Sequence, residues 1–112
     1  MIQVIAISAA ARRVAIIATR QSYESMAEAI GTARFSHKIL DGGDSLFYPE
    51  DMEDSTGSFE IDHCRFNAPA IIFRLGEFGI PEEPRMSVDE ARRRVSHFTV
   101  GWDYEKDQRV QS

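Results

Sequence analysis

The sequence predicts a single α+β domain with a mostly antiparallel sheet and two helices. Its 112 residues are close to the commonest length of one domain. Several short runs are rich in β-branched and aromatic residues, as strands are, and two segments repeat their apolar residues every three or four positions, as amphipathic helices do. With the first strand set aside, the order of elements is βαββαβ, the ferredoxin-like pattern, which predicts a topology but no function.

The N-terminal third is predicted to hold three strands. The runs "IQVIAI" (2–7) and "VAIIAT" (14–19) are almost continuously apolar, which favours strands buried on both faces. Between them, "AAARR" (9–13) fits either a hairpin turn or a helical turn. A short strand is predicted at 36–40, where "SHKIL" precedes the turn signal "DGG".

The two helices are predicted at Tyr23–Arg34 and Val88–Phe98. Ser22 precedes the first apolar stripe and is a suitable N-cap. Ser87 followed by Glu90 forms a capping box, which predicts the start of the second helix.

The remaining strands follow from alternation of apolar and polar residues. Residues 58–66 are predicted as one strand, residues 70–75 as its hairpin partner, and residues 99–104 as the last strand. The domain is predicted to span 1–104, with 105–112 as a polar tail. The predicted core contains the apolar residues that share one face of each element: Ile5, Ile7, Val14, Ile16, Met26, Ile30, Ile61, Ile71, Phe73, Val88, Ala91, Val95 and Phe98.

Charge is concentrated in the middle of the chain. The net charge is −5, but residues 41–84 hold eleven acidic and two basic residues and carry −9. This balance argues against direct binding of nucleic acid or of an anionic membrane. The arginines follow the first apolar stretch, the reverse of a secretory signal, and the single cysteine indicates no disulfide framework, so a cytoplasmic protein is expected.

The acidic stretch "DGGDSLFYPEDMEDSTG" (41–57) does not fit a known metal loop. Aligned on an EF-hand from Asp51, it has Thr56 where glycine is needed and Asp62 where a bidentate glutamate is usual. The three histidines and Cys64 show no zinc-binding spacing. We therefore expect neither a metal nor another cofactor, and no catalytic residues are predicted.

The leading hypothesis is a small non-enzymatic binding protein, of the inhibitor, immunity or anti-defence type, that engages a basic protein surface through this acidic stretch. Interfaces combine aromatic and methionine anchors with a charged rim. The expected anchors are Phe47, Tyr48 and Met52, and the expected rim is Glu50, Asp51, Glu53 and Asp54. A merely solvated loop is the alternative for this stretch, which is expected to be exposed in either case.

Two other functions are compatible with the sequence. A small-ligand-binding domain or small enzyme could have a pocket near His63, which shares a strand face with Phe59 and Ile61 in the predicted register. A structural or assembly subunit could pair with further copies through an exposed sheet edge and form a homo-oligomer.

Overall fold

The computed structural model describes residues 1–31, 34–51 and 55–100. Within these ranges the chain is one compact α+β unit, and all its strand pairs are antiparallel. This confirms the predicted fold class. No helix in the described ranges is long and apolar enough to span a membrane.

Nine strands and two helices make up the described part of the chain. The strands are β1 (Ile2–Ser8), β2 (Arg13–Thr19), β3 (Phe35–Ile39), β4 (Ser45–Pro49), β5 (Gly57–Ile61), β6 (Cys64–Ala68), β7 (Ala70–Leu75), β8 (Pro81–Glu82) and β9 (Val95–Val100). The helices are α1 (Tyr23–Ile30) and α2 (Val88–Arg94), and Glu77–Gly79 form a single 3₁₀ turn.

The strands divide between two sheets. The larger has the order β2-β1-β7-β4-β3, with β8 added to the end of β7, and the smaller has the order β6-β5-β9. The ferredoxin-like topology is not confirmed, because that pattern places its strands in one sheet.

The larger sheet is covered on both faces. Its first face packs against α1 in a cluster that includes Met26 and Phe73. Its second face packs against the smaller sheet and α2 in a cluster that includes Leu46, Phe59 and Ala91. Since successive strand residues point to opposite faces, the chain builds two apolar cores that share the central strands.

Both helices begin where the caps predict, but they end earlier. Ser22 and Ser87 accept hydrogen bonds from the third residue after each of them. Helix α1 stops at Ile30 because Gly31 takes a left-handed conformation with φ +70°. Helix α2 ends at Arg94 rather than Phe98, because β9 begins at once and pairs with β5, which satisfies the backbone groups that a longer helix would have paired internally.

The segment predicted as one strand at 58–66 is a tight hairpin. Strands β5 and β6 pair with each other, and Asp62 and His63 form the two-residue turn between them with φ +52° and +65°. Positive φ at both central residues is the requirement of a type I′ turn. The prediction of one strand overlooked that Asp62 and His63 are two successive polar residues, after which the apolar positions change from odd to even numbers.

The N-terminal connection is a hairpin turn. Residues 9–12 link the paired strands β1 and β2, and the Arg12 N–H bonds to the Ala9 carbonyl at 3.1 Å. The predicted strand at 99–104 begins earlier, at Val95, and residues 101–112, including the predicted tail, lie outside the described ranges.

The predicted core is largely confirmed. The prediction that Ile16 is a core residue is wrong, because Ile16 lies on the outer strand β2 with 51% of its surface exposed. Val88 and Phe98 are partly buried against the second-face cluster. The other ten residues are buried: Ile5, Ile7, Val14, Met26, Ile30, Ile61, Ile71, Phe73, Ala91 and Val95.

Candidate functional site

The acidic stretch at 41–57 is not one exposed loop. Strand β4 runs through it, and residues 44–47 and 49 are buried. The six-residue step from Asp44 to Glu50 covers about 20 Å along a strand. The described carboxylates of this stretch are therefore divided between the two ends of β4, which corrects the expectation of one exposed acidic loop.

Asp44 has a structural position. It is 2% exposed, and its two carboxylate oxygens accept hydrogen bonds from the backbone N–H groups of Arg85 and Met86 at 2.8 and 2.9 Å. A buried carboxylate is tolerated where such bonds replace its hydration. Asp44 therefore ties the start of β4 to the chain that leads into α2.

The aromatic residues predicted as exposed anchors in this stretch, Phe47 and Tyr48, are buried or half-buried. Phe47 is 1% exposed and belongs to the core under α1, so the expectation of an exposed anchor at this position is corrected. Tyr48 is half-buried, with its ring 5.0 Å from that of Phe66. Both follow from the position of β4 inside the larger sheet, which is covered on both faces.

The predicted acidic rim is only partly described. Glu50 is exposed, and the Asp51 carboxylate lies 3.6 Å from the Arg34 guanidinium. Met52, Glu53 and Asp54 lie outside the described residues. Of the rim, Glu50 and Asp51 thus have a described position at the end of β4 away from Asp44.

Arginines compensate much of the acidic charge of the middle segment. Arg94 pairs with both Asp62 and Glu90, and the hydrogen bonds that its guanidinium donates to Asp62 raise the pKa of Arg94 further above its ordinary value. Glu60 and Glu82 lie 2.9 Å from the guanidinium groups of Arg65 and Arg74. Arg65 and Arg74 are already counted in the charge of −9, whereas Arg94 lies outside residues 41–84 and adds a positive charge beside Asp62 that this value does not include.

His63 is exposed at the tip of the β5–β6 hairpin. A nearby cleft of about 190 Å³ is lined by residues from β3, the β5–β6 hairpin and β6, including Lys38, Asp62 and Cys64. Pockets for small organic ligands usually measure about 300–1,000 Å³. The cleft is too small to favour the ligand-binding alternative.

In the part of the chain that the structure describes, no three His, Cys, Asp or Glu side chains come together as a metal-binding cluster. The free Cys64 is exposed on β6. Exposed apolar side chains are found instead at the turn between β7 and β8.

This turn presents a phenylalanine to solvent. Phe78 is 96% exposed, the highest value among the large apolar residues of the described ranges, and Leu75 and Ile80 beside it are 39% and 46% exposed. Glu77 is exposed in the turn, and Glu83 is exposed directly after β8, where one of its carboxylate oxygens accepts the Gln3 N–H at 2.9 Å. We call these five residues the Phe78 tip.

The turn that carries Phe78 is well fixed. Strands β7 and β8 pair through Arg74–Glu82 and Leu75–Pro81, and the Gly76 N–H donates to the Ile80 carbonyl at 2.9 Å. The backbone of Phe78 itself is held in the left-handed region, with φ +58° and ψ +20°.

A second element supports the turn. The Tyr23 hydroxyl, at the start of α1, donates to the Gly79 carbonyl at 2.9 Å. Burial raises the pKa of this hydroxyl further above its ordinary, already alkaline value, so it is protonated at neutral pH and can donate. The Phe78 tip is therefore held in place by hydrogen bonds that involve β7, β8 and α1.

The sequence predicts no helix or strand at this tip, because "GEFGIPEEP" (76–84) lacks the periodicity of either. The available signal was a phenylalanine and an isoleucine placed among glycines, proline and carboxylates, where no periodic element could bury them.

Comparison with protein-family models, curated proteins and solved structures gave no match. The function therefore has to be argued from the residues of this chain alone.

Proposed function

We propose that the protein is a small non-enzymatic binding protein that inserts Phe78 into an apolar pocket of a protein partner, with Glu77 and Glu83 meeting basic residues at the rim of that pocket. The observation that carries the proposal is the almost complete exposure of Phe78 on a fixed turn.

The stability of the fold does not explain a phenylalanine at position 78, for two reasons. Its left-handed backbone costs an L-residue about 1–2 kcal/mol. Its exposed ring gains nothing from burial, whereas a buried phenylalanine contributes about 1.5–3 kcal/mol. A strained residue on a well-supported turn is a reason to propose a function at that position.

The chemistry of the tip fits a protein interface. Aromatic side chains that fill a pocket are frequent hot spots, and neighbouring apolar residues exclude water around them. Leu75 and Ile80 are placed to do so. The two carboxylates would favour a partner with Lys or Arg at the pocket rim and speed its approach.

The proposal keeps the partner class expected from the sequence but uses a different surface. Phe47 cannot serve as an anchor, because it is in the core. Glu50 and Asp51 lie at the opposite end of β4 from Asp44, beside Arg34. They provide a matched comparison for the test.

The test compares partner capture by the natural chain and by Phe78→Gly, first from native lysate and then with the captured partner purified. Glycine is unstrained at this φ, so Phe78→Gly should leave the fold intact and raise its free energy of unfolding by about 0.5–1 kcal/mol. Affinity should fall at least about 30-fold, the loss expected for a hot spot of 2 kcal/mol.

Two control variants separate this surface from others. Ile16→Ala removes an apolar side chain that is half exposed on β2 and should leave affinity unchanged. Glu77→Gln should slow association at low salt, whereas Glu50→Gln should not. A partner that binds Phe78→Gly as tightly as the natural chain would refute the proposal, and a loss confined to Glu50→Gln would return the site to the acidic stretch.

A further inference from the structure

Strand β3 is an outer strand of the larger sheet. Among the described residues it pairs with β4 on one side and with no strand on the other. All its residues except the half-buried Ser36 are exposed. An outer strand of this kind offers a row of backbone donors and acceptors to another strand.

The hydrogen bonds to β4 show which residues of β3 point outward. The Glu50 N–H donates to the Arg34 carbonyl at 3.2 Å, and the Leu40 N–H donates to the Asp44 carbonyl at 2.7 Å. In an antiparallel pair every second residue exchanges such bonds. The even-numbered residues of β3 therefore bond to β4, and the N–H and C=O groups of the odd-numbered residues face away from the sheet: Phe35, His37 and Ile39.

The side chains of these same three residues share one face of the sheet. His37 lies directly opposite Phe47 in the register, so the three side chains are on the face that α1 partly covers. Phe35 and Ile39 are 36% and 55% exposed, and His37 between them is exposed. The outer strand thus has an apolar residue at each end of its outward-facing set.

We propose that β3 pairs with β3 of a second copy of the chain, antiparallel, about a two-fold axis at His37. In this register each outward-facing residue meets another outward-facing residue, so their backbone groups can exchange hydrogen bonds. Phe35 lies opposite Ile39 of the other copy, and His37 lies opposite its own equivalent. The two larger sheets become one continuous sheet.

Neighbouring two-fold registers fit less well. An axis at Lys38 would place two ammonium groups directly opposite each other, which is destabilising. An axis at Ser36 would leave Ile39 beyond the end of the other β3 strand. The register at His37 pairs all five residues of the strand and forms an apolar contact at each end, which is why a second copy is the occupant that this edge fits.

The first test uses His37→Pro. Proline removes the outward-facing N–H of residue 37 and leaves the bonds between β3 and β4 in place, as proline does on outer strands. By sedimentation velocity over a concentration series, the natural chain should show a monomer–dimer equilibrium, and His37→Pro should stay monomeric at every concentration at which the natural chain is dimeric. Phe78→Gly should dimerise normally, because this pairing does not depend on the Phe78 tip.

The second test reads the register and does not depend on His37→Pro folding. In a Cys64→Ser background, which removes the free thiol, single cysteines are placed at 36, 37 and 38 and oxidised. Cysteines at 37 face each other across the axis and should cross-link. Cysteines at 36 or at 38 would be about 8 Å apart, beyond the roughly 7 Å limit for a disulfide.

Each result bears on the proposal. Preferential cross-linking at 37, with Phe35→Cys and Ile39→Cys chains cross-linking when mixed, supports it. A natural chain that stays monomeric at the highest concentration reached, or equal cross-linking at all positions, refutes it. Preferential cross-linking at 36 or 38 refutes the proposed register.

Discussion

The Asp44 carboxylate shows how far the place of a charge in the sequence can differ from its role in the fold. It belongs to the most acidic stretch of the chain, yet it is buried and accepts the N–H groups of Arg85 and Met86. A run of acidic residues can contain both buried, structural carboxylates and solvated ones such as Asp41, and the sequence alone does not distinguish the two.

Asp44→Asn is expected to lower the free energy of unfolding by about 1–3 kcal/mol, the cost of leaving a buried polar group without a partner. Asparagine has one acceptor oxygen, so one of the two backbone N–H groups would face an amide donor. Urea denaturation measures the change. Asp41→Asn removes an exposed side chain and should stay within about 0.5 kcal/mol of the natural chain, and equal effects at 41 and 44 would contradict the structural role of Asp44.

Two phenylalanines show what the sequence could and could not predict about the candidate site. Phe47 was predicted as an exposed anchor because its neighbours are acidic, but "SLFYP" is a buried strand whose apolar residues are needed on both faces. Phe78 has acidic neighbours too, yet the short turn around it cannot turn its ring inward. The difference lies in tertiary position, which local charge does not encode.

At the scale of elements, the starts of the helices could be predicted and the ends of several elements could not. Serine caps act through local hydrogen bonds, so Ser22 and Ser87 marked the first residues of α1 and α2 correctly. The end of α2 depends on the pairing of β9 with β5, a contact between distant segments. The turn at Asp62–His63 lacks the glycine that usually marks a two-residue hairpin.

This turn gives a prediction about backbone conformation. His63 is exposed with φ +65°, so His63→Gly should remove left-handed strain of about 1–2 kcal/mol, partly offset by the roughly 0.5–1 kcal/mol of extra freedom that glycine brings to the unfolded chain. We expect a net gain of about 0.5–1 kcal/mol by urea denaturation. His63→Ala keeps the Cβ atom and should show no such gain. A loss of stability in His63→Gly would mean that the imidazole itself stabilises the hairpin.

At the scale of the whole molecule, the fold class followed from periodicity, whereas the division into two sheets did not. Several strands could be recognised from their own residues, but β4 was expected to be part of an exposed loop, β5 and β6 were predicted as one strand, and β8 was not predicted. The choice of sheet depends on pairing between distant strands. Folding also lowers the effective negative charge of the middle third, because Arg94 and Arg34 from outside that segment lie beside its carboxylates Asp62 and Asp51. In the folded molecule, the larger sheet contributes residues to both apolar cores, one on each of its faces.

Because the two cores share the larger sheet, we predict a single cooperative unfolding transition. Ile71 and Ile72 are adjacent on β7 and both fully buried, but Ile71 packs under α1 and Ile72 packs against the smaller sheet. Ile71→Val and Ile72→Val each remove one methylene group and should each cost about 0.5–1.5 kcal/mol. If the cores unfold together, calorimetry should show one peak in both variants, moved to lower temperature as a whole, with equal calorimetric and van 't Hoff enthalpies. Two separate peaks, with Ile71→Val moving one and Ile72→Val the other, would show instead that the layer of α1 and the layer of the smaller sheet unfold independently of each other.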